Sequence, residues 1–188
     1  MAFIALYDAC VLYPAPLRDL LMHLARTGAF RARWTDRIHD EWIRNVLKNR
    51  PDLTPEKLQR TRELMDAAVP DCLVTGYEDI EAGLQLPDVD DRHVFAAAIC
   101  GHASVIVTFN LKDFPAAVLK PKSMEAQDPD EFIRHLCDFN LAAVLSAVRA
   151  QREQLKNPHR SARELLDTFL EQRLVRTVAA LEPMIELI

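Results

Sequence analysis

Two short, continuous runs of apolar residues set the strongest constraint on how this chain can fold. Residues 3–7 read Phe-Ile-Ala-Leu-Tyr, and residues 104–108 read Ser-Val-Ile-Val-Thr. Apolar side chains at successive positions are typical of a parallel strand that is covered on both faces. We therefore expect a parallel sheet with helices packed on each side of it.

The segments between and around these strands show the spacing of amphipathic helices. Helices are predicted over Leu17–Leu24 with Gly28 beyond the end, after an Asp36 cap, after Thr54-Pro55, and over Val94–Ile99. Two further strands are predicted at Phe30–Trp34 and Cys72–Thr75. Strands that alternate with helices in this way predict the α/β class.

The pattern changes near residue 128, after which every signal is helical. Residues 128–131 (Asp-Pro-Asp-Glu) begin a helix, Asn157-Pro158 interrupts the pattern, and Ser161 with Glu164 forms a capping-box sequence. We therefore predict two domains, an α/β domain over residues 1–127 and an all-helical C-terminal extension over residues 128–188.

The charge distribution is uneven along the chain, although the net charge is only -5. Between Arg18 and Arg62 there are 11 Lys or Arg residues against 6 Asp or Glu, and between Glu63 and Asp113 there are 2 against 10. A basic stretch beside an acidic one is expected of a metal-dependent enzyme that acts on a polyanion. Solvated helix faces that differ in charge by chance are the alternative.

Several common kinds of site are absent from the sequence. It contains no G-x-G-x-x-G, P-loop, G-x-S-x-G or H-E-x-x-H motif, and no apolar run approaches the roughly 20 residues of a membrane helix. The four cysteines are widely spaced and form no C-x-x-C pair, so we interpret them as reduced residues of a cytoplasmic protein. The six histidines are interpreted as surface or core residues.

Carboxylates at positions that folding does not require are the remaining candidates for chemistry. Asp8 directly follows the first strand, and Asn110 and Asp113 follow the strand at 104–108. The carboxyl ends of parallel strands are where ligands bind in open α/β sheets. Capping of the following turn is the alternative role for Asp8. Three acids precede the helix that begins near Arg92, and one acid borders an apolar helix stripe: Asp88, Asp90, Asp91 and Glu41. Oxygen ligands alone would select Mg²⁺ or Mn²⁺ rather than zinc.

At these residues the chain resembles the PIN-domain ribonucleases, and among them the VapC-type toxins of bacterial toxin–antitoxin pairs. The resemblance rests on ALYDACVLYPAPLRDLLMHLA, RWTDRIHDEWIRNVL and LPDVDDRHVFAAAICGHASVIVTFNLKDF, which occur in the family's order. It implies a PIN-like parallel sheet flanked by helices. The helices after residue 128 resemble, more loosely, relatives that have a helical C-terminal extension.

The resemblance also implies the site residues and the metal. The family's acids fall on Asp8, Glu41 and Asp91, with Asp90 and Asp88 close enough to contribute. The position of the family's fourth acid holds Asn110, so Asp113 is expected to supply that charge. The implied catalytic residues are Asp8, Glu41, Asp91 and Asp113, and the implied Mg²⁺ or Mn²⁺ ligands are these four together with Asp90 and Asn110. Ala9 and Cys10 stand where relatives often have a small polar residue.

The activity implied by the resemblance is metal-dependent hydrolysis of RNA phosphodiester bonds by a toxin that is paired with an antitoxin protein. The basic stretch would follow the RNA backbone. The expected RNA contacts are Arg31, Arg33, Arg37, Arg44 and Lys48. A homodimer is compatible with this reading, and a membrane partner is not expected. The alternatives are a PIN-fold binding module with weak or no cleavage and a DNA nuclease on the same fold.

Overall fold

The computed structural model describes residues 2–188, and it contains a four-stranded parallel sheet. The strands are β1 (Ile4–Tyr7), β2 (Arg31–Arg33), β3 (Val105–Val107) and β4 (Glu125–Gln127), in the order β2-β1-β3-β4. Ala5 of β1 pairs with Ala32 of β2 and with Val105 of β3. The predicted α/β class with a parallel sheet is confirmed.

The described residues form ten α-helices. They are α1 (Ala9–Leu12), α2 (Ala15–Ala25), α3 (Asp36–Asn49), α4 (Pro55–Ala68), α5 (Glu78–Glu81), α6 (Arg92–Cys100), α7 (Ala116–Leu119), α8 (Pro129–Gln154), α9 (Ala162–Glu171) and α10 (Val175–Leu181). Three short 3₁₀ helices cover Leu111–Asp113, Lys120–Lys122 and Glu182–Leu187. No helix within residues 2–188 has both the length and the apolar character needed to cross a bilayer.

The residues group into two compact units, and each unit is made of two separate segments of the chain. One unit comprises the residues up to Tyr13 together with Phe30–Asp128, and the other comprises Pro14–Ala29 together with Pro129–Ile188. The second unit therefore contains α2 as well as the C-terminal helices. The domain boundary predicted at residue 128 leaves α2 with the N-terminal residues, because local spacing indicates that a helix forms but not which helix it packs against.

In the first unit, small side chains let α6 pack closely against β1 and β3. Ala96, Ala97 and Ala98 are fully buried, and α6 ends at Cys100 with Gly101 as its C-cap. At the end of β1, the ring of Tyr7 stacks on that of Trp34, with ring centroids 6.1 Å apart. These contacts fix the position of the β1 end and of the first turn of α6.

A buried hydrogen-bond network anchors α3 to α4. Asp66 accepts a hydrogen bond from Trp34 Nε1 at 2.8 Å, and its Oδ1 lies 2.9 Å from Nε2 of the buried His39. Trp42 Nε1 donates to His39 Nδ1 at 3.0 Å, so Nδ1 is the acceptor and Nε2–H donates to Asp66. Burial lowers the pKa of His39. The network holds the helix that bears Glu41.

In the second unit, α2 and α10 both pack against α8. Helix α8 is bent at Asn140, whose Oδ1 accepts a hydrogen bond from the backbone N–H of Ala143 and so caps the second half of the helix. The predicted capping box forms at Ser161 and Glu164. At the start of α8, the Asp130 carboxylate accepts hydrogen bonds from the backbone N–H groups of Arg176 and Thr177 in α10.

Three details differ from the sequence predictions. The cap of α3 is Thr35, whose Oγ1 accepts from the Ile38 N–H, and Asp36 is the first helical residue. The segment expected as a strand at Cys72–Thr75 makes only a single parallel bridge between Leu73 and Trp34. Strand β4 was not predicted, because Glu-Ala-Gln has neither an apolar run nor a β-branched residue.

We predict that Asp130→Ala lowers the free energy of unfolding by about 1–2 kcal/mol, because two N–H groups at the start of α10 lose their acceptor. Urea unfolding followed by circular dichroism measures the change. Asp138→Ala on the same helix, which removes an exposed ion pair to Arg134, is the control and is expected to cost about 0.5 kcal/mol or less. Equal losses for the two variants would contradict the prediction.

Candidate active site

The site is built around Asp8, which follows the last residue of β1 at the carboxyl edge of the sheet. Its backbone N–H donates to the carbonyl oxygen of Val107 at 3.1 Å, which keeps it in line with the end of β3. Its side chain is 3% exposed and makes no capping hydrogen bond to α1. The capping role considered from the sequence therefore does not explain this carboxylate.

Two side chains hold the Asp8 carboxylate in place. Thr108 Oγ1 donates to Asp8 Oδ2 at 2.6 Å, and Cys10 Sγ donates to the same oxygen at 3.0 Å. The Cys10 sulfur in turn accepts from the backbone N–H of Phe109 at 3.2 Å. Burial raises the pKa of the Cys10 thiol, so this cysteine remains a neutral donor rather than a reactive thiolate.

Three further carboxylates meet next to this position. Asp88, Asp91 and Asp113 each offer an oxygen, and these oxygens all lie within 4.8 Å of one another. Asp88 and Asp91 precede α6, whereas Asp113 ends the 3₁₀ helix that follows β3. Two chain segments that are distant in sequence thus bring three acids together.

The electrostatics show that all of these groups share one site. The pKa of Asp91 is raised to about 7, first by burial and then by the negative charges of Asp8, Asp88, Asp113 and Glu41. The pKa of Asp8 is also raised, chiefly by burial and also by the charge of Glu41, although its hydrogen bonds from Thr108 and Cys10 oppose the shift. Five carboxylates therefore repel one another in the absence of a cation.

Glu41 enters the site from α3 and meets a histidine. Its Oε2 lies 3.4 Å from Nε2 of His93, which stands two residues after Asp91 on α6. The Glu41 side chain is 32% exposed, so it borders the site rather than filling its interior.

The donor set suits a hard divalent cation. The three atoms that lie within 4.8 Å of one another are all carboxylate oxygens, without a histidine nitrogen or a cysteine sulfur. Oxygen ligands of this kind are typical of Mg²⁺ and Mn²⁺ sites. A bound cation would also relieve the repulsion that raises the pKa of Asp91.

The structure brings most of the predicted acids together but places two others differently. Asp90 is exposed, and its backbone N–H donates to Asp88 Oδ1 at 2.9 Å. Asp88 thus stands in the group of three, although the sequence analysis gave Asp90 the greater weight. Asn110 is exposed and its backbone N–H donates to Thr108 Oγ1 at 3.0 Å, so it supports the residue that holds Asp8. Metal ligation by Asp90 and Asn110 stays a prediction.

The predicted basic residues are not equivalent. Arg37 forms an ion pair with Glu81 at 2.9 Å. Arg31 lies opposite Ile4 in the register of β1 and β2, and Ile4 is four residues before Asp8. The Cα of Arg31 is therefore about 13 Å from the level of Asp8 along the strand direction. Arg44 and Lys48 follow Glu41 on α3 at spacings of three and seven residues, which is one helix face. Both are exposed and form no ion pair within residues 2–188.

Sequence reasoning missed the partners of the acids more than the acids themselves. Cys10 was noted only as a departure from the family, and His93 was interpreted as an ordinary histidine. The sequence signal for His93 is an ionisable residue directly before the apolar run of Val94–Ile99.

We predict that Asp91 makes the metal-free protein less stable as the pH rises. Its native pKa of about 7 exceeds the ordinary 3.8, so the native state binds this proton more tightly than the unfolded state does. The contribution to stability is therefore present below pH 3.8 and is lost as the pH rises towards 7. In EDTA, the Tm of Asp91→Asn minus that of wild type should increase between pH 4 and 8. Asp90→Asn is the exposed neighbouring control, and the idea fails if both variants follow the wild-type profile.

Comparison with known proteins finds a similar curated protein as well as two matching family models. The protein named "Putative ribonuclease VapC50" of Mycobacterium tuberculosis (strain ATCC 25618 / H37Rv) is 37% identical over 97 residues, which is 52% of this chain and 57% of that protein. The chain thus matches little more than half of that relative's length. No solved structure matches the chain.

Two family models match separate segments of the sequence. Residues 129–183 match the VapC50 C-terminal domain, which corresponds to the helices from α8 to α10. Residues 5–112 match the PIN domain, and this range contains Asp8, Glu41 and Asp91. Because the second match covers more than half of the sequence, the chain belongs to the PIN-domain family, as its motifs predicted.

Proposed function

We propose that this protein is a divalent-metal-dependent endoribonuclease, the VapC-type toxin of a type II toxin–antitoxin pair. The observation that carries the proposal is the convergence of four other carboxylates on Asp91, at the strand ends of a PIN fold. Folding alone disfavours such a cluster, because each added charge destabilises its neighbours. A site that binds cations next to an RNA phosphodiester accounts for this cluster of carboxylates.

The chain's own residues would hold the metal and keep it in position. Asp8, Glu41, Asp91 and Asp113 are the proposed ligands, with Asp88 as a further one from the group of three. When bound, Mg²⁺ or Mn²⁺ would supply the Lewis acid that polarises the phosphodiester and neutralises the charge that develops on its oxygens. Thr108 and Cys10 fix the orientation of Asp8 in advance, which lowers the cost of arranging the site.

Arg44 and Lys48 are the strongest candidates for contacts to the RNA backbone. They extend the face of α3 that bears Glu41, and no acidic side chain within the described residues neutralises them. Arg31, Arg33 and Arg37 remain predicted RNA contacts. The ion pair of Arg37 with Glu81 makes Arg37 a weaker candidate. The similarity to a protein named as a ribonuclease supports RNA rather than DNA as the substrate of this chain.

The proposed setting is the cytoplasm, with a cognate antitoxin protein as partner. The four free cysteines, of which Cys72 and Cys137 are buried, suit a reducing compartment. The similarity to VapC50 supports an antitoxin partner. A homodimer stays a prediction.

We expect Asp8→Asn to lower RNA cleavage by more than about a hundredfold in Mg²⁺ or Mn²⁺, because Asp8 is a proposed ligand and about a hundredfold is already the upper end for residues that only orient a metal ligand. The metal-free variant should be at least as stable as wild type, because one of the like charges is gone. Millimolar Mn²⁺ should raise the Tm of wild type more than that of the variant. Asp40→Asn, an exposed acid on α3, is the control for charge.

The same experiment separates the alternatives. Cleavage by Asp8→Asn at nearly the wild-type rate, or wild-type cleavage that persists in EDTA, would show that the proposed site is wrong. RNA and DNA strands of equal length and sequence, offered in competition, distinguish a ribonuclease from a DNA nuclease. Metal-insensitive RNA binding without any cleavage would identify a binding module.

A second prediction concerns the basic face of α3. The double variant Arg44→Ala/Lys48→Ala should flatten the plot of log K against log salt for single-stranded RNA by about 1.4, since each lost phosphate contact contributes roughly 0.7. The control is Lys57→Ala/Arg60→Ala on α4, which removes the same charge from exposed positions. Filter binding at several salt concentrations gives both slopes, and equal slopes would rule out a specific role for this face.

A further inference from the structure

His93 is a buried polar residue with one partner and one unused ring nitrogen. It is 2% exposed, and its Nε2 lies 3.4 Å from Glu41 Oε2. Its Nδ1 is buried and has no hydrogen-bond partner within residues 2–188. A carboxylate only accepts hydrogen bonds, so the nitrogen that faces Glu41 carries the proton and Nδ1 is the unpaired side of the ring.

Packing does not explain an imidazole at this position. The residues that follow it on α6 are apolar and buried, from Val94 and Phe95 to Ala98. Burying a polar atom without a partner is unfavourable, so an apolar side chain would serve the helix better. Stability alone therefore favours replacing His93, and its contact with Glu41 is what an apolar residue would lose.

Glu41 in turn depends on His93 for its orientation. Among the described residues, the 3.4 Å approach of His93 Nε2 is the close polar contact of its carboxylate. The side chain is a third exposed, so without this contact it is free to turn towards solvent. In the observed position its negative charge is close enough to help raise the pKa of both Asp8 and Asp91.

We propose that His93 is a positioning residue that holds the Glu41 carboxylate towards Asp8 and Asp91 in the geometry that binds the cation. This inference rests on the proposed function, since it gives Glu41 a metal to ligate. Helix α6 then contributes twice to the site, through Asp91 before its first turn and through His93 within that turn. Outer residues that orient a metal ligand change metal affinity about 10- to 100-fold when they are removed.

The test compares Mn²⁺ binding with metal-free stability. His93→Leu removes the donor and fills a similar volume, so we expect a metal-free Tm equal to or above that of wild type and an affinity for Mn²⁺ that is about tenfold weaker by calorimetry. His93→Gln keeps an N–H donor and should recover part of the affinity. In a Glu41→Gln background, His93→Leu should have no further effect on the Mn²⁺-induced rise in Tm.

The control is His23→Leu on α2, another buried histidine, which should leave the Mn²⁺ affinity unchanged. If wild type binds Mn²⁺ and His93→Leu binds it equally well, the inference is wrong while the proposed function stands. If wild type itself binds no Mn²⁺, the proposed function fails first. A loss of metal-free stability in His93→Leu without any change in Mn²⁺ affinity would show a purely structural role. If that variant does not fold, His93→Met lacks the donor as well and is judged by the same criteria.

Discussion

The pairing of β1 with β3 is the constraint on which the rest of the site depends. These strands are neighbours at the centre of the sheet and run in the same direction, with Tyr7 opposite Val107. Their carboxyl ends therefore lie side by side at one edge of the sheet, where Asp8 follows β1 and Thr108 follows β3. A shift of one strand by one residue would turn its side chain to the opposite face of the sheet and break the 2.6 Å contact between Thr108 and Asp8.

Once β1 and β3 are in place, the helices add charge that the fold itself does not require. The alanines of α6 allow close packing on the sheet, which carries Asp91 towards Asp8. The network of Asp66, His39 and Trp42 fixes α3, which carries Glu41 to the same point. The hydrophobic core thus holds like charges close together, and their repulsion contributes to the raised pKa of Asp91. This repulsion lowers the free energy of unfolding, a cost that a protein retains where the charges serve a function.

The sequence predicted the fold and the location of the acids because both follow from local patterns. Apolar runs identified β1 and β3, and Asp8 stood out as a charge at the end of a buried strand, whereas the family resemblance singled out Asp91 among the acids before α6. The partners were harder to find, since Cys10 contacts residues 98 and 99 positions away. No local pattern distinguishes Asp88 from Asp90 either, because the choice depends on where the 3₁₀ helix places Asp113. Likewise Thr35 caps α3 instead of Asp36, which pairs with Arg62.

The membership of α2 in the second unit has a consequence for the order in which the protein is made. Leu17, Leu20 and Leu21 are fully buried, yet α8, against which this helix packs, lies beyond the whole of residues 30–128. A ribosome that adds about 5–20 residues per second needs on the order of ten seconds to supply that partner. During this interval the leucines of α2 stay exposed on the nascent chain. A chain released early would keep them exposed, so an incomplete protein is open to chaperones and proteases until its last helices have been synthesised.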